Sequence, residues 1–160
     1  MASFTEFVVE VHDLLSNAGI EHAFGGAIAL AFYADPRATT DVDVNVFVSL
    51  DDFEHLTSTC RAAGFEPEAV DGSWMPSAGR RFRREGDFPI DLFPNVDDDR
   101  YAVVAARVAR RPFGSSGREV PVLAVEDIVL FKLAFGRPKD WVDVEAVARN
   151  GAPLDLDYVE

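Results

Sequence analysis

The chain has 160 residues, 48% of them hydrophobic and 13 of them phenylalanine, with a formal net charge of −13. That length and apolar content suit one domain with a sizeable core, whereas the acidity argues against a broad, nonspecific grip on DNA or RNA, which needs a basic surface to release phosphate counterions. No apolar run approaches the roughly 20 residues that span a bilayer, the stretch 1–15 lacks the basic region of a secretory signal, and a lone cysteine, Cys60, allows no disulfide framework, so a cytoplasmic protein without a membrane partner is expected.

Ser3 and Glu6 have capping-box spacing, and Phe4, Phe7, Val8, Val11, Leu14 and Leu15 recur at helical intervals until Asn17 and Gly19. This spacing predicts a first helix. A short strand over 20–24 follows, then a Gly25-Gly26 turn and an alanine-rich helix over 27–33, stopped by Asp35-Pro36. A second strand over 40–48 sets Val42, Val44, Val46 and Val48 on one face. Ser49 or Asp51 can cap a helix that carries Phe53, Leu56 and Cys60 and ends at Gly64. There Cys60 reads as a small buried apolar residue. Beyond a short strand over 65–70, residues 71–79 hold turn formers around Trp74, an aromatic that could stack a base or anchor the loop.

Residues 80–84 and 88–93 flank Glu85-Gly86-Asp87 as a hairpin, and 97–106 reads as a helix. A second hairpin turns around Gly114 to Gly117. Helices over 125–135 and 141–149, split by Gly136-Arg137-Pro138, close the chain, with Phe131, Phe135 and Trp141 expected in the core. Nothing in 1–160 marks a repeat or an interdomain linker. The pattern predicts a single α/β (α+β) domain: a mixed β-sheet with helices packed mainly on one side.

Chemistry concentrates in a few positions. Asp41 and Asp43 stand at i and i+2 on an apolar strand, so their carboxylates project the same way and repel; a cation between them is expected. Asp91, between Ile90 and Leu92, is a third carboxylate on an apolar strand, where an unpaired charge is expensive. Carboxylates so placed can hold Mg²⁺, and two such ions about 3.5 to 4 Å apart would serve an in-line phosphoryl displacement. The Gly25-Gly26 turn would offer backbone N–H groups to a phosphate. Lys132 and Lys139 are the only lysines beside 13 arginines, and a compact ammonium is a point-charge phosphate binder; the alternative is a solvated helix face. His12, His22 and His55 have no metal-ligand spacing. A P-loop, a GxGxxG run, a nucleophile elbow and an HExxH motif are all missing, so kinase, dehydrogenase, hydrolase and metalloprotease readings lack their parts.

Phe24-Gly25-Gly26, Ala29-Leu30, Arg37-x-Thr39-x-Asp41-Val42-Asp43 and Ile90-Asp91-Leu92 together resemble the nucleotidyltransferase superfamily built on a polymerase-β-type palm. More narrowly, with 125–133 and Gly136-Arg137-Pro138-Lys139-Asp140 through Asp143, the chain is similar to bacterial AbiEii/MenT-type nucleotidyltransferases, several of which are toxins of toxin–antitoxin pairs. The resemblance implies Asp41, Asp43 and Asp91 as catalytic carboxylates and ligands of two Mg²⁺ ions, with Asp91 also the candidate base. It implies Gly25 and Gly26 at the β- and γ-phosphates, Arg37, Thr39 and Lys132 beside the NTP, and Lys139, Asp140 or Asp143 in support. The superfamily's turn is often Gly-Ser, whereas Gly26 offers backbone alone. The implied activity moves a nucleoside monophosphate from an NTP to an acceptor hydroxyl on RNA, such as tRNA, on a small molecule such as an aminoglycoside, or on a protein, with a cognate antitoxin as a partner. The rival readings are a noncatalytic nucleotide- or protein-binding module and an antitoxin-like interaction partner.

Overall fold

The computed structural model describes residues 2–69 and 79–160. Trp74 and most of its expected loop lie outside the described residues, as does the end of the strand expected over 65–70. In chain order the elements are α1 (Phe4–Asn17), β1 (His22–Phe24), α2 (Gly26–Leu30), β2 (Val42–Val46), α3 (Phe53–Ala62), β3 (Glu66–Pro67) and β4 (Arg80–Arg83). They continue as β5 (Ile90–Phe93), α4 (Asp98–Ala106), β6 (Ala109–Phe113), β7 (Arg118–Val122), α5 (Val125–Phe135), α6 (Pro138–Arg149) and α7 (Leu156–Val159).

The strands form one mixed sheet in the order β3-β4-β5-β2-β1-β7-β6. β1 pairs parallel with β7 and β2 parallel with β5, while the remaining neighbours run antiparallel. This is the mixed-sheet α/β architecture that the sequence predicts. Several boundaries shift: β1 begins at His22 and α2 spans Gly26–Leu30 in place of 27–33, and two further shifts have a visible cause. β2 ends at Val46, beyond which the Val48 carbonyl accepts from Asn95 N–H. α6 begins at Pro138, whose fixed φ and missing N–H suit a first helical position, and the Asp140 carboxylate caps Arg137 N–H at 3.1 Å.

Alternation along the central strands sorts apolar from charged side chains. Val42, Val44 and Val46 of β2, Ile90 and Leu92 of β5 and Phe82 of β4 are buried in one cluster with Phe7, Val8, Val11 and Leu15 of α1 and Leu56 and Cys60 of α3. Each such side chain contributes roughly 1.5 to 3 kcal/mol on burial. A slip of β2 by one residue would turn Asp43 into that core, so the apolar set fixes the register against the repulsion of the carboxylates. A smaller cluster of Leu30, Ala34, Val125, Val129 and Val147 ties α2 to α5 and α6. Phe131 packs against the main core as expected, but Phe135 and Trp141 are 43% and 57% exposed. The inward face of α5 is taken by Val125, Ile128, Val129 and Lys132, and Phe135 emerges on its last turn.

Two of the three histidines are structural and paired. His22 Nδ1 lies 2.8 Å from the Ile20 carbonyl, which requires a proton on that nitrogen and leaves Nε2 to accept from His12 Nδ1–H at 3.0 Å.

Candidate active site

The parallel register of β2 and β5 sets Asp43 opposite Asp91, and the β4–β5 hairpin sets Arg81 opposite Asp91 in turn. Arg81, Asp91 and Asp43 therefore form a row across three strands, on the face opposite Phe82, Ile90 and Val42. Asp41, just before β2, joins them in a cleft of about 1080 Å³ that Gly26, Lys132 and Lys139 also line.

No described side chain bridges Asp41 and Asp43, where a cation is expected; the cation that the structure supplies, Arg81, instead joins Asp41 to Asp91. Its Nε donates to Asp91 Oδ1 at 2.7 Å, and its Nη2 bridges Asp91 Oδ2 at 2.5 Å and Asp41 Oδ2 at 3.0 Å. Thr39 Oγ braces the same Asp41 carboxylate, donating to its Oδ1 at 2.9 Å. Asp43 has no such partner: no described residue donates a hydrogen bond to its side chain. Removal from water, then the charges of Asp41 and Asp91, push its carboxyl up to about 6, with Lys139 and Lys132 partly offsetting them.

Gly26 explains how the turn packs beside this carboxylate. Its φ is +50°, and a Cβ there would stand 1.8 Å from Asp43 Oδ2. Gly26→Ala is expected to destabilise the fold by about 1 to 3 kcal/mol from the left-handed backbone alone and to displace Asp43, read by urea denaturation and by activity together. The neighbouring Gly25 differs: its N–H donates to the Asp43 carbonyl at 3.0 Å, so it has no donor left for a phosphate. The first intrahelical bond of α2 runs from Ala29 N–H to Gly25 C=O, which leaves the turn's free donors at Gly26 and beyond.

Behind the carboxylates runs a chain of alternating charge. Arg37 grips Asp143 through Nε and Nη2, both at 3.0 Å, and Lys132 Nζ reaches the same carboxylate at 2.6 Å. Lys132 also lies 3.7 Å from Asp140, which Arg137 holds at 2.7 Å. Asp140 and Asp143 are buried, yet both stay below the ordinary aspartate value because these cations outweigh the burial that opposes them. Lys132 is therefore no solvated helix residue: it lines the cleft and is buried, with its ammonium between two carboxylates. Lys139 is exposed at the cleft and forms no ion pair with a described residue. Of the site residues that the resemblance implies, all but Gly25 and Asp143 line the cleft, and Asp143 stands one contact behind it.

The three site carboxylates offer oxygen ligands alone, the chemistry of a hard cation such as Mg²⁺. As they stand, no three His, Cys, Asp or Glu side chains among the described residues are gathered into a metal-holding group, and Arg81 engages two of the three site carboxylates. The donor set nevertheless fits: one carboxylate is repelled and has no partner among the described residues, and the other two already hold a positive charge.

No protein-family profile matches the sequence, and no curated protein matches it either. Solved structures do. ANT(2'')-Ia in complex with adenylyl-2''-tobramycin is 15% identical and superposes with a TM-score of 0.66 over 97% of this chain and 91% of its own. The lincosamide antibiotic adenylyltransferase LnuA, lincomycin-bound, is 15% identical, with a TM-score of 0.63 over 92% and 97%. The fold is that of nucleotidyltransferases. An antigenic nucleotidyltransferase-like protein from Paracoccidioides brasiliensis, 18% identical, superposes with a TM-score of 0.60 over 91% of this chain and 74% of its own. Within that fold, Asp41, Asp43 and Asp91 lie together on the charged side of the sheet and Gly26 turns beside them.

Proposed function

We propose that the protein is a bacterial, cytoplasmic nucleotidyltransferase that moves a nucleoside monophosphate from an NTP to an acceptor hydroxyl. The observation that carries this reading is Asp43, a carboxylate without a hydrogen-bond or ion-pair partner among the described residues, in register with Asp91 and packed against a glycine that has no room for a side chain. Asp41, Asp43 and Asp91 would hold Mg²⁺. When bound, the metal supplies charge stabilisation for an in-line phosphoryl displacement.

The chain's own residues do the remaining work. Thr39 fixes the Asp41 carboxylate, and the backbone at Gly26 admits the triphosphate close to β2. Lys132 presents its ammonium at the cleft because Asp143 and Asp140 hold it from behind, and Asp143 orients Arg37 at the same time. Lys139, exposed at the cleft, adds a further cation for the phosphates. Asp91, once free of its guanidinium partner, accepts the proton of the attacking hydroxyl. Tyr101 and Phe131 give the far side of the cleft an aromatic wall for the acceptor or the base.

Two acceptor classes have support. The toxin-like motifs point to an RNA 3′ end, such as that of tRNA, with a cognate antitoxin controlling the activity. The net charge of −13, together with fold neighbours bound to lincomycin or carrying adenylylated tobramycin, points to a small antibiotic-like acceptor. Transfer of label from each α-labelled NTP, with Mg²⁺, into bulk RNA, a panel of aminoglycosides and lincosamides, and the protein itself decides between them. Wild type is expected to label one class and Asp41→Asn none. NTP binding without any label would instead favour a noncatalytic nucleotide-binding module.

A further inference from the structure

Arg81 lies where a site cation would lie. A single nitrogen, Nη2, bridges one oxygen of Asp41 and one of Asp91, while Nε takes the second oxygen of Asp91. A divalent ion held by both carboxylates would draw on oxygens that the guanidinium engages and would lie beside its positive charge, so ion and guanidinium would compete for the pair. The arginine backbone is fixed by pairing with β5, and its long side chain opens onto the cleft with 33% of its surface exposed. The head group can therefore leave the carboxylates without unmaking the strand.

We propose that Arg81 is a displaceable counter-cation: it holds the Asp41–Asp91 oxygen pair in the free protein and yields it only when an NTP delivers the metal and offers its own phosphate oxygens to the guanidinium. This rests on the reading of Asp41, Asp43 and Asp91 as metal ligands.

The electrostatics favour the exchange. Without Arg81, the carboxylates of Asp41 and Asp91 would lose their direct ion-pair partner beside the already repelled Asp43, so the guanidinium lowers the repulsion within the free site. A metal ion arriving alone must break a bidentate fork, the stronger kind of carboxylate pairing, and leave Arg81 with the more distant charge of Glu68 in place of two direct partners. A metal ion arriving with a triphosphate gives the fork a new anion at the same moment. The consequence is coupling: nucleotide raises the affinity for metal, and metal raises the affinity for nucleotide by the same factor. Such coupling would keep the free protein from collecting divalent ions that no nucleotide accompanies.

The test reads metal binding directly. Free Mn²⁺ is followed by electron paramagnetic resonance as wild type, Arg81→Gln, Arg81→Lys and Asp43→Asn are titrated, with and without a nonhydrolysable α,β-methylene NTP. Arg81→Gln is expected to bind Mn²⁺ alone on the order of tenfold more tightly than wild type, the scale of one half-exposed ion pair, and to lose most of the enhancement that the nucleotide confers. Arg81→Lys, which keeps charge but not the fork, should tighten Mn²⁺ by a smaller factor and serves alone if the glutamine variant does not fold. Unchanged or weaker Mn²⁺ binding in the Arg81 variants, with binding abolished by Asp43→Asn, overturns the role of Arg81 and spares the metal site. Mn²⁺ binding that Asp43→Asn leaves intact overturns the metal site itself.

Discussion

Asp43→Asn is expected to abolish nucleotidyl transfer while making the free protein more stable at pH 7. The two effects share one cause. Partial burial and the charges of Asp41 and Asp91 push the Asp43 carboxyl up to about 6, so at pH 7 the folded chain carries an ionised group in surroundings that oppose it. The folded state then binds a proton more readily than the unfolded chain between about pH 4 and 6, so this residue's contribution to stability falls as pH rises through that window. Above it, the penalty is present in full. Asparagine keeps the shape and removes the charge. After allowance for solvent screening, the gain is about 1 to 2 kcal/mol, or roughly 3 to 6 °C in melting temperature for a chain of this size. Activity should fall on the order of 10³-fold or more, since a metal-holding carboxylate acts on the transition state throughout. Label transfer and thermal unfolding on the same preparations check both, with Asp51→Asn, at an exposed acidic position away from the cleft, as the control. Retained activity would sink the site; lost activity with a lower melting temperature would make Asp43 a structural residue.

Much of this site is local in the sequence. The Asp41-Val42-Asp43 alternation, the Gly25-Gly26 turn and the Ile90-Asp91-Leu92 strand are each written in a few adjacent residues, because period-two strands and tight turns depend on near neighbours. The pairing of charges is not local. Arg81 reads as one of a run of surface arginines until the hairpin register is known, although Gly86 lies midway between Arg81 and Asp91, so counting outward from the turn brings the two together. Lys132 is equally ambiguous in a helix sequence. Its ammonium is buried only because α6 delivers Asp140 and Asp143 one turn apart, and that placement depends on how α5 meets α6. Phe135 and Trp141 show the opposite error, where aromatic character suggests core at positions that the docking of α5 and α6 leaves exposed.

The buried histidine pair gives the second large effect, a loss of stability in mild acid. His22 is held down to about 4, first by burial and then by His12 and Arg110, against the opposing hydrogen bond to Ile20. His12 is also lowered, by burial, Arg110 and Arg118, with Asp13 acting the other way. Between about pH 6.5 and 4 the unfolded chain therefore binds a proton that folded His22 refuses, so stability falls as pH falls across that window. At about 1.4 kcal/mol per pH unit, His22 alone contributes about 3 kcal/mol that is present above pH 6.5 and gone near pH 4. Urea denaturation at pH 7 and pH 4.5 measures it. His22→Asn, whose amide can still donate to the Ile20 carbonyl, should start less stable at pH 7 and lose far less on acidification. Asp43 works in the opposite sense over nearly the same range, since its protonation relieves repulsion, so wild type shows only the difference between the two slopes. Asp43→Asn should steepen the acid loss and His22→Asn should flatten or reverse it. Equal slopes in all three proteins would mean that neither group titrates as its surroundings dictate. The link to the site is direct, because His22 opens the strand that ends at Phe24 and leads into the Gly25-Gly26 turn.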